Sequence, residues 1–158
     1  MFPLTVSLNK KLTIPGTKIA DQYMLSLKQE LMILKVDNLV VDRNKIDFTN
    51  GLFNGQGRNH LMSGVDKGYF EFDLNMQTLV YQYSTKRLFI IGIFVAVFIS
   101  SILFINGNLI AYPGIFYFSF FYGFNWIVTY VRHKSFLARL VRSMEKSRSK
   151  NEVNKVID

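Results

Sequence analysis

The sequence predicts an α+β fold: a small N-terminal head of order β-α-β-β-β-β, then a transmembrane α-helical hairpin and a basic amphipathic C-terminal helix. Three observations predict it. Residues 1–87 carry 11 basic and 8 acidic side chains and show strand and helix periods in succession. Residues 88–131 form a run of 44 without a single charge, and basic residues crowd both of its flanks. The 19 Lys and Arg against 11 Asp and Glu, with a mean hydropathy of +0.17, place basic and apolar features in different regions of one chain.

In the head, Phe2, Leu4, Val6 and Leu8 alternate with Pro3, Thr5, Ser7 and Asn9, and the alternation resumes at Leu12 and Ile14. A period of two is that of a half-buried strand, and Pro15-Gly16 ends it. From Thr17, an N-cap residue type, Ala20, Tyr23, Met24, Leu27, Leu31 and Leu34 recur at helical spacing, which predicts an amphipathic helix of about 18 residues. Leu39-Val40-Val41 and Ile46-Asp47-Phe48 flank the turn-forming Asp42-Arg43-Asn44-Lys45, a tight hairpin. After a glycine-punctuated stretch, Tyr69 to Asp73 and Thr78 to Thr85 flank Leu74-Asn75-Met76-Gln77, a second hairpin. Phe70 and Phe72 share one face there, as do Leu79, Tyr81 and Tyr83, the pattern of a sheet covered on one side by a helix. So small a head without staples buries a modest core and is expected to lean on the membrane or a partner.

The first predicted span, 88–105, holds 14 Leu, Ile, Phe or Val in 18 residues. As a helix it rises about 27 Å, close to the roughly 30 Å of bilayer hydrocarbon. Those side chains contribute on the order of −4 to −8 kcal/mol to insertion. Asn106-Gly107-Asn108 is the turn, and the second span, 109–131, is aromatic-rich. An apolar segment starting at residue 88 is too late for a signal peptide. Nine basic residues flank the spans: Lys86, Arg87, Arg132, Lys134, Arg139, Arg142, Lys146, Arg148 and Lys150; the turn carries none. Retention of Lys and Arg on the cytoplasmic side predicts a multi-pass protein with both termini cytoplasmic, in the inner membrane if the source is bacterial.

Within the hairpin, Gly92, Ala96 and Ser100 repeat at spacing four, as do Ser119 and Gly123. Small residues let helix backbones approach in lipid, so these five are the expected packing seam, with Gly92 facing Gly123 and Ala96 facing Ser119. Trp126, Tyr130 and the basic residues Lys86, Arg87, Arg132, Lys134, Arg139 and Arg142 are the expected membrane-interface anchors. In the segment 132–158, Phe136, Leu137, Leu140, Val141 and Met144 make an apolar stripe beside Arg139, Arg142 and Lys146, suited to an anionic lipid surface.

The chemistry-bearing motifs are few. Gly51 to Arg58 is glycine-rich but lacks the Gly-Lys-Ser/Thr ending of a phosphate loop, so it reads as a hairpin loop. The absence of Cys excludes disulfides and thiolate metal sites, and His60 and His133 are too few for a transition-metal centre. No catalytic, cofactor or metal residues are assigned, and His133 reads as one more interfacial polar residue. Basic charge beginning directly after a span is explained by topology, so no nucleic acid partner is expected. Asn125, the one amide within the second span's interior, reads either as reaching interfacial water or as bonding across helices.

Tyr69-Phe70-Glu71-Phe72-Asp73, Tyr81-Gln82-Tyr83-Ser84, Lys86-Arg87, Gly123-Phe124-Asn125-Trp126 and Arg132 to Phe136 together resemble a recurring group of small uncharacterised bacterial two-span membrane proteins, over residues 69–138. The resemblance implies the architecture and no activity. The expected function is that of an interaction or regulatory subunit of a membrane assembly, with a membrane protein or a second copy of the chain as partner. A pore-forming effector with a sensing head, and a membrane-tethered enzyme, are the alternatives.

Overall fold

The computed structural model describes residues 4–12, 17–51, 61–62, 64–73, 76–105 and 112–157. Five strands and three helices follow in the order β1 (Thr5–Lys11), α1 (Thr17–Ile33), β2 (Asn38–Asp42), β3 (Lys45–Thr49), β4 (Lys67–Asp73), β5 (Thr78–Ser84), α2 (Lys86–Ile105) and α3 (Tyr112–Ile157). The strands form one antiparallel sheet in the order β1-β5-β4-β3-β2. The head is therefore α+β with the expected element order. Phe2, Ile14, Pro15-Gly16, the glycine-rich 52–60, His60, the Asn106-Gly107-Asn108 turn and the end of the tail lie outside the described residues, or have side chains that do.

Since β1 and β2 occupy opposite edges, α1 connects them across one face of the sheet. The period-two alternation fixes which face is apolar. Val6, Leu8, Ile46, Phe48, Phe70, Phe72, Leu79, Tyr81 and Tyr83 are buried on it, beneath Tyr23, Met24, Leu27 and Leu31 of α1. The α1 helix stops where Lys35 turns left-handed (φ 50°): Lys35 N–H donates to the Met32 carbonyl and Val36 N–H to Leu31. That is a Schellman stop, with Val36 packed against the core as its hydrophobic contact. The first hairpin turns on Arg43-Asn44, with Asp42 opposite Lys45, and Asn44 clamps it to β4 by exchanging hydrogen bonds with the Phe72 backbone.

The remaining cover of the sheet comes from α3. Phe136, Leu137, Leu140, Val141 and Met144 are buried within the same core as the strands, with Trp126 and Tyr130 partly buried against it. This corrects the reading of that stripe as lying on lipid: the head completes its core with the chain's own C-terminal helix. A sheet of five strands has more apolar area than one 17-residue helix can cover, which is the physical reason. Arg132, Lys134, Arg139 and Arg142 are exposed on the opposite side of the helix.

Among the described residues no helix is long and apolar enough to cross a membrane. The side chains of Leu103 and Ile105, which complete the apolar 88–105 segment, and residues 106–111 lie outside those described.

Candidate functional site

Three surfaces and one buried cluster meet where the head joins the helical pair. The pair itself is packed through α2 and the first part of α3. A Cβ on Gly92 would lie 3.2 Å from the Phe118 ring and 3.6 Å from Tyr122 Cβ. One on Gly114 would collide with Ser100 Oγ and lie 3.2 Å from the Ala96 carbonyl. Gly92, Ala96 and Ser100 thus face α3, but across from them stand Phe118, Tyr122 and Gly114. Ser119 is exposed and Gly123 is buried, and the atoms nearest a Cβ on Gly92 belong to Phe118 and Tyr122. A one-residue displacement of register rotates a helix by about 100°, enough to carry Ser119 out of the contact. Gly114 is a seam residue that the expected stripe of Ser119 and Gly123 leaves out. Asn125 donates one amide N–H to the Phe121 carbonyl one turn back at 2.7 Å, a bond within its own helix.

The outside of the pair is apolar. Among the described residues, nine exposed large hydrophobic side chains stand on α2, from Ile90 to Phe104, and seven on α3, from Phe116 to Val131. Phe94, Phe98, Phe104, Phe116 and Phe120 are each more than 60% exposed. Beyond Val131 the same helix turns its apolar residues inward and its basic residues outward.

The junction is hydrogen-bonded. Arg87 donates to the Gly51 carbonyl at 2.8 Å and to that of Asn50 at 2.5 Å, so this residue, expected as a lipid anchor, is also a strut to the β3 end. Thr85 N–H and hydroxyl both donate to the Leu4 carbonyl, and Ser84 donates to Asp66. Gly51 N–H donates to the Asp37 carboxylate. Lys86 is exposed.

Beneath the junction, Tyr81, Tyr83 and His133 form a buried cluster. The Tyr81 hydroxyl lies 2.6 Å from His133 Nδ1, and the Tyr83 ring stacks on the imidazole at 4.4 Å. Burial pushes both tyrosine hydroxyls up and His133 down, to about 4. The neutral imidazole shares one proton with the Tyr81 hydroxyl across this contact, the direction of the bond following the ring tautomer. His133 is fully buried, so its reading as an interfacial polar residue is corrected. Its helical spacing with Thr129, Phe136, Leu137 and Leu140 was the available signal.

The second face of the sheet is polar and uncovered by α1 or α3. At the α2 end, Thr5, Ser84, Lys67 and Thr49 stand side by side across four strands. The next row holds Ser7, Gln82, Tyr69 and Asp47, in which the Tyr69 hydroxyl donates to Gln82 Oε1 at 2.8 Å. Lys45 lies 2.9 Å from Asp47 and 4.6 Å above the Tyr69 ring. A concavity of about 390 Å³ opens over these two rows, with Lys86 at its rim. Among the described residues no group of three or more His, Asp or Glu comes together to hold a metal ion. Comparison with protein-family models, with curated proteins and with solved structures finds no match to this chain.

Proposed function

We propose that the chain is an integral membrane protein in which the helical pair anchors the α+β head at the cytoplasmic face, and that the head serves as an interaction or regulatory subunit of a membrane assembly. The single observation that supports this most is the belt of sixteen exposed large hydrophobic side chains among the described residues of α2 and the first part of α3. Water-facing surfaces of monomers rarely carry continuous apolar patches beyond a few hundred Å². Lipid removes the penalty for such a belt, and exposed basic residues begin where it ends.

Extraction decides the first half. Membranes washed in alkaline carbonate should retain the chain and release it only to detergent; release by carbonate alone would remove the anchor. Copurification in mild detergent decides the second half: a stoichiometric membrane partner is expected. A self-assembled ring of this chain alone would favour the pore reading instead.

A further inference from the structure

We propose that the concavity on the uncovered sheet face binds an anionic phosphate group, supplied by a lipid head group at the cytoplasmic surface. The lipid source rests on the anchoring reading above; the phosphate site does not. Four features carry the inference. Strand register places Lys67 in the row of the sheet nearest the start of α2, between Ser84 and Thr49, and Lys86 stands at the rim of the same concavity. Neither ammonium has an ion-pair partner among the described residues, and both residues are exposed. Tyr69 donates its hydroxyl to Gln82 Oε1, which orients the Gln82 amide and leaves its N–H groups unengaged by any described residue. The Lys67 row itself holds no acid: Asp47 lines the concavity one row along and is paired with Lys45, and Glu71 and Asp73 stand further along β4. Asp66 is the exception near the row, and it accepts from Ser84.

Two point cations, with an oriented amide one row further along the sheet, match a phosphate's spread negative charge, and a space of 390 Å³ admits the group together with its ester substituent. Lys67 lies 21 residues before Leu88, beyond the roughly 15–20 residues within which Lys and Arg set topology. Its place beside Lys86 arises only from the fold.

The test uses the full chain in micelles of an uncharged, phosphate-free maltoside detergent, with and without phosphatidylglycerol, and reads the acetylation rate of individual lysines by mass spectrometry. Lys67 and Lys86 should react more slowly when phosphatidylglycerol is present, while Lys11, exposed at the far end of β1, is unchanged. Lys67→Gln should weaken the protection of Lys86 about fivefold, the share of one lysine near anionic phosphate. Gln82→Leu, which changes no charge, should weaken it as well, and a merely attractive basic surface would not respond. Glycerol phosphate added to the maltoside micelles separates the sources. Protection by it places a soluble phosphoester in the site, and would stand even if carbonate washing removed the chain from membranes. Equal protection of Lys11, or protection of Lys86 that survives both Lys67→Gln and Gln82→Leu with unchanged thermal unfolding, overturns the proposal.

Discussion

His133 illustrates how a single residue can be misread from its neighbours. Flanked by Arg132 and Lys134, it looks like part of a basic rim, yet the 3.6-residue period points those two outward and His133 into the core. Its burial has a pH consequence. The unfolded chain binds the imidazole proton near pH 6.5 and the folded chain only near pH 4, so the unfolded state holds more protons between those values. Stability is fully present above about 6.5 and falls as pH drops towards 4, by roughly 3 kcal/mol for a shift of about 2.5 units. Denaturation midpoints of the full chain at pH 7 and pH 4.5 should therefore differ less in His133→Phe than in wild type, the carboxylates being common to both. An identical difference would remove His133 as a source. Gly68 gives a second residue-scale expectation. A Cβ there would lie 2.5 Å from the Gln82 carbonyl and 2.6 Å from the Phe48 ring, so Gly68→Ala must displace backbone as well as a buried ring. The expected cost is about 2–3 kcal/mol in thermal or denaturant unfolding. The sequence marks Gly68 as one of several loop-like glycines; nothing in its neighbours reveals that Phe48 lies against it from another strand.

At the scale of elements, what was legible followed from period and punctuation. The β3–β4–β5 alternation, the α1 stripe and the Asp42–Lys45 turn all read correctly, because each is a local pattern that burial on one face imposes. The helix pairing did not, because register between two helices depends on a turn whose geometry no spacing rule supplies, and an error of one residue changes the facing side chain. The seam now predicts a different set of sensitive positions. Gly92→Leu and Gly114→Leu should lower the unfolding temperature in detergent well beyond Phe94→Leu or Phe120→Leu, whose side chains point outward, while Ser119→Leu should be tolerated. Equal effects at all five positions would dissolve the seam. The α3 helix makes a further demand, since one rod faces α2 at its start and the sheet further on. Inserting a single Ala after Val131 rotates everything beyond it by about 100° and takes Leu137 and Leu140 off the sheet. Four inserted Ala return the face to within about 40° of its original direction, at the cost of about 6 Å of advance. The single insertion should therefore disrupt the head more than the shortening Leu140→Ala, itself worth about 2–5 kcal/mol, and a tolerated single insertion would mean that α3 does not cover the sheet.

For the whole molecule, the head core and the hairpin constrain one another. Val6, Phe70 and Tyr81, from before the apolar pair, share one buried cluster with Leu137, Leu140 and Met144, from after it. Chain segments in one core cannot lie on opposite sides of a bilayer, so a pair that enters lipid must do so as an even number of crossings. Charge alone had pointed the same way: nine basic residues flank the apolar segments and none sits between them. The two lines are independent, one resting on packing and the other on the retention of cations during insertion. Together they predict the outcome of labelling in this Cys-free chain. With single cysteines placed at Asn108 and at Ser147, an impermeant thiol reagent applied to intact cells should react at Asn108→Cys and not at Ser147→Cys, and both should react after the cells are opened. Reaction at Ser147→Cys alone would invert the orientation while leaving the paired crossing intact. Reaction at neither position in intact cells, with reaction at both on opening, would leave the apolar belt against a protein partner or within one leaflet, and the Phe side chains of α2 and α3 would then be the contact surface to map.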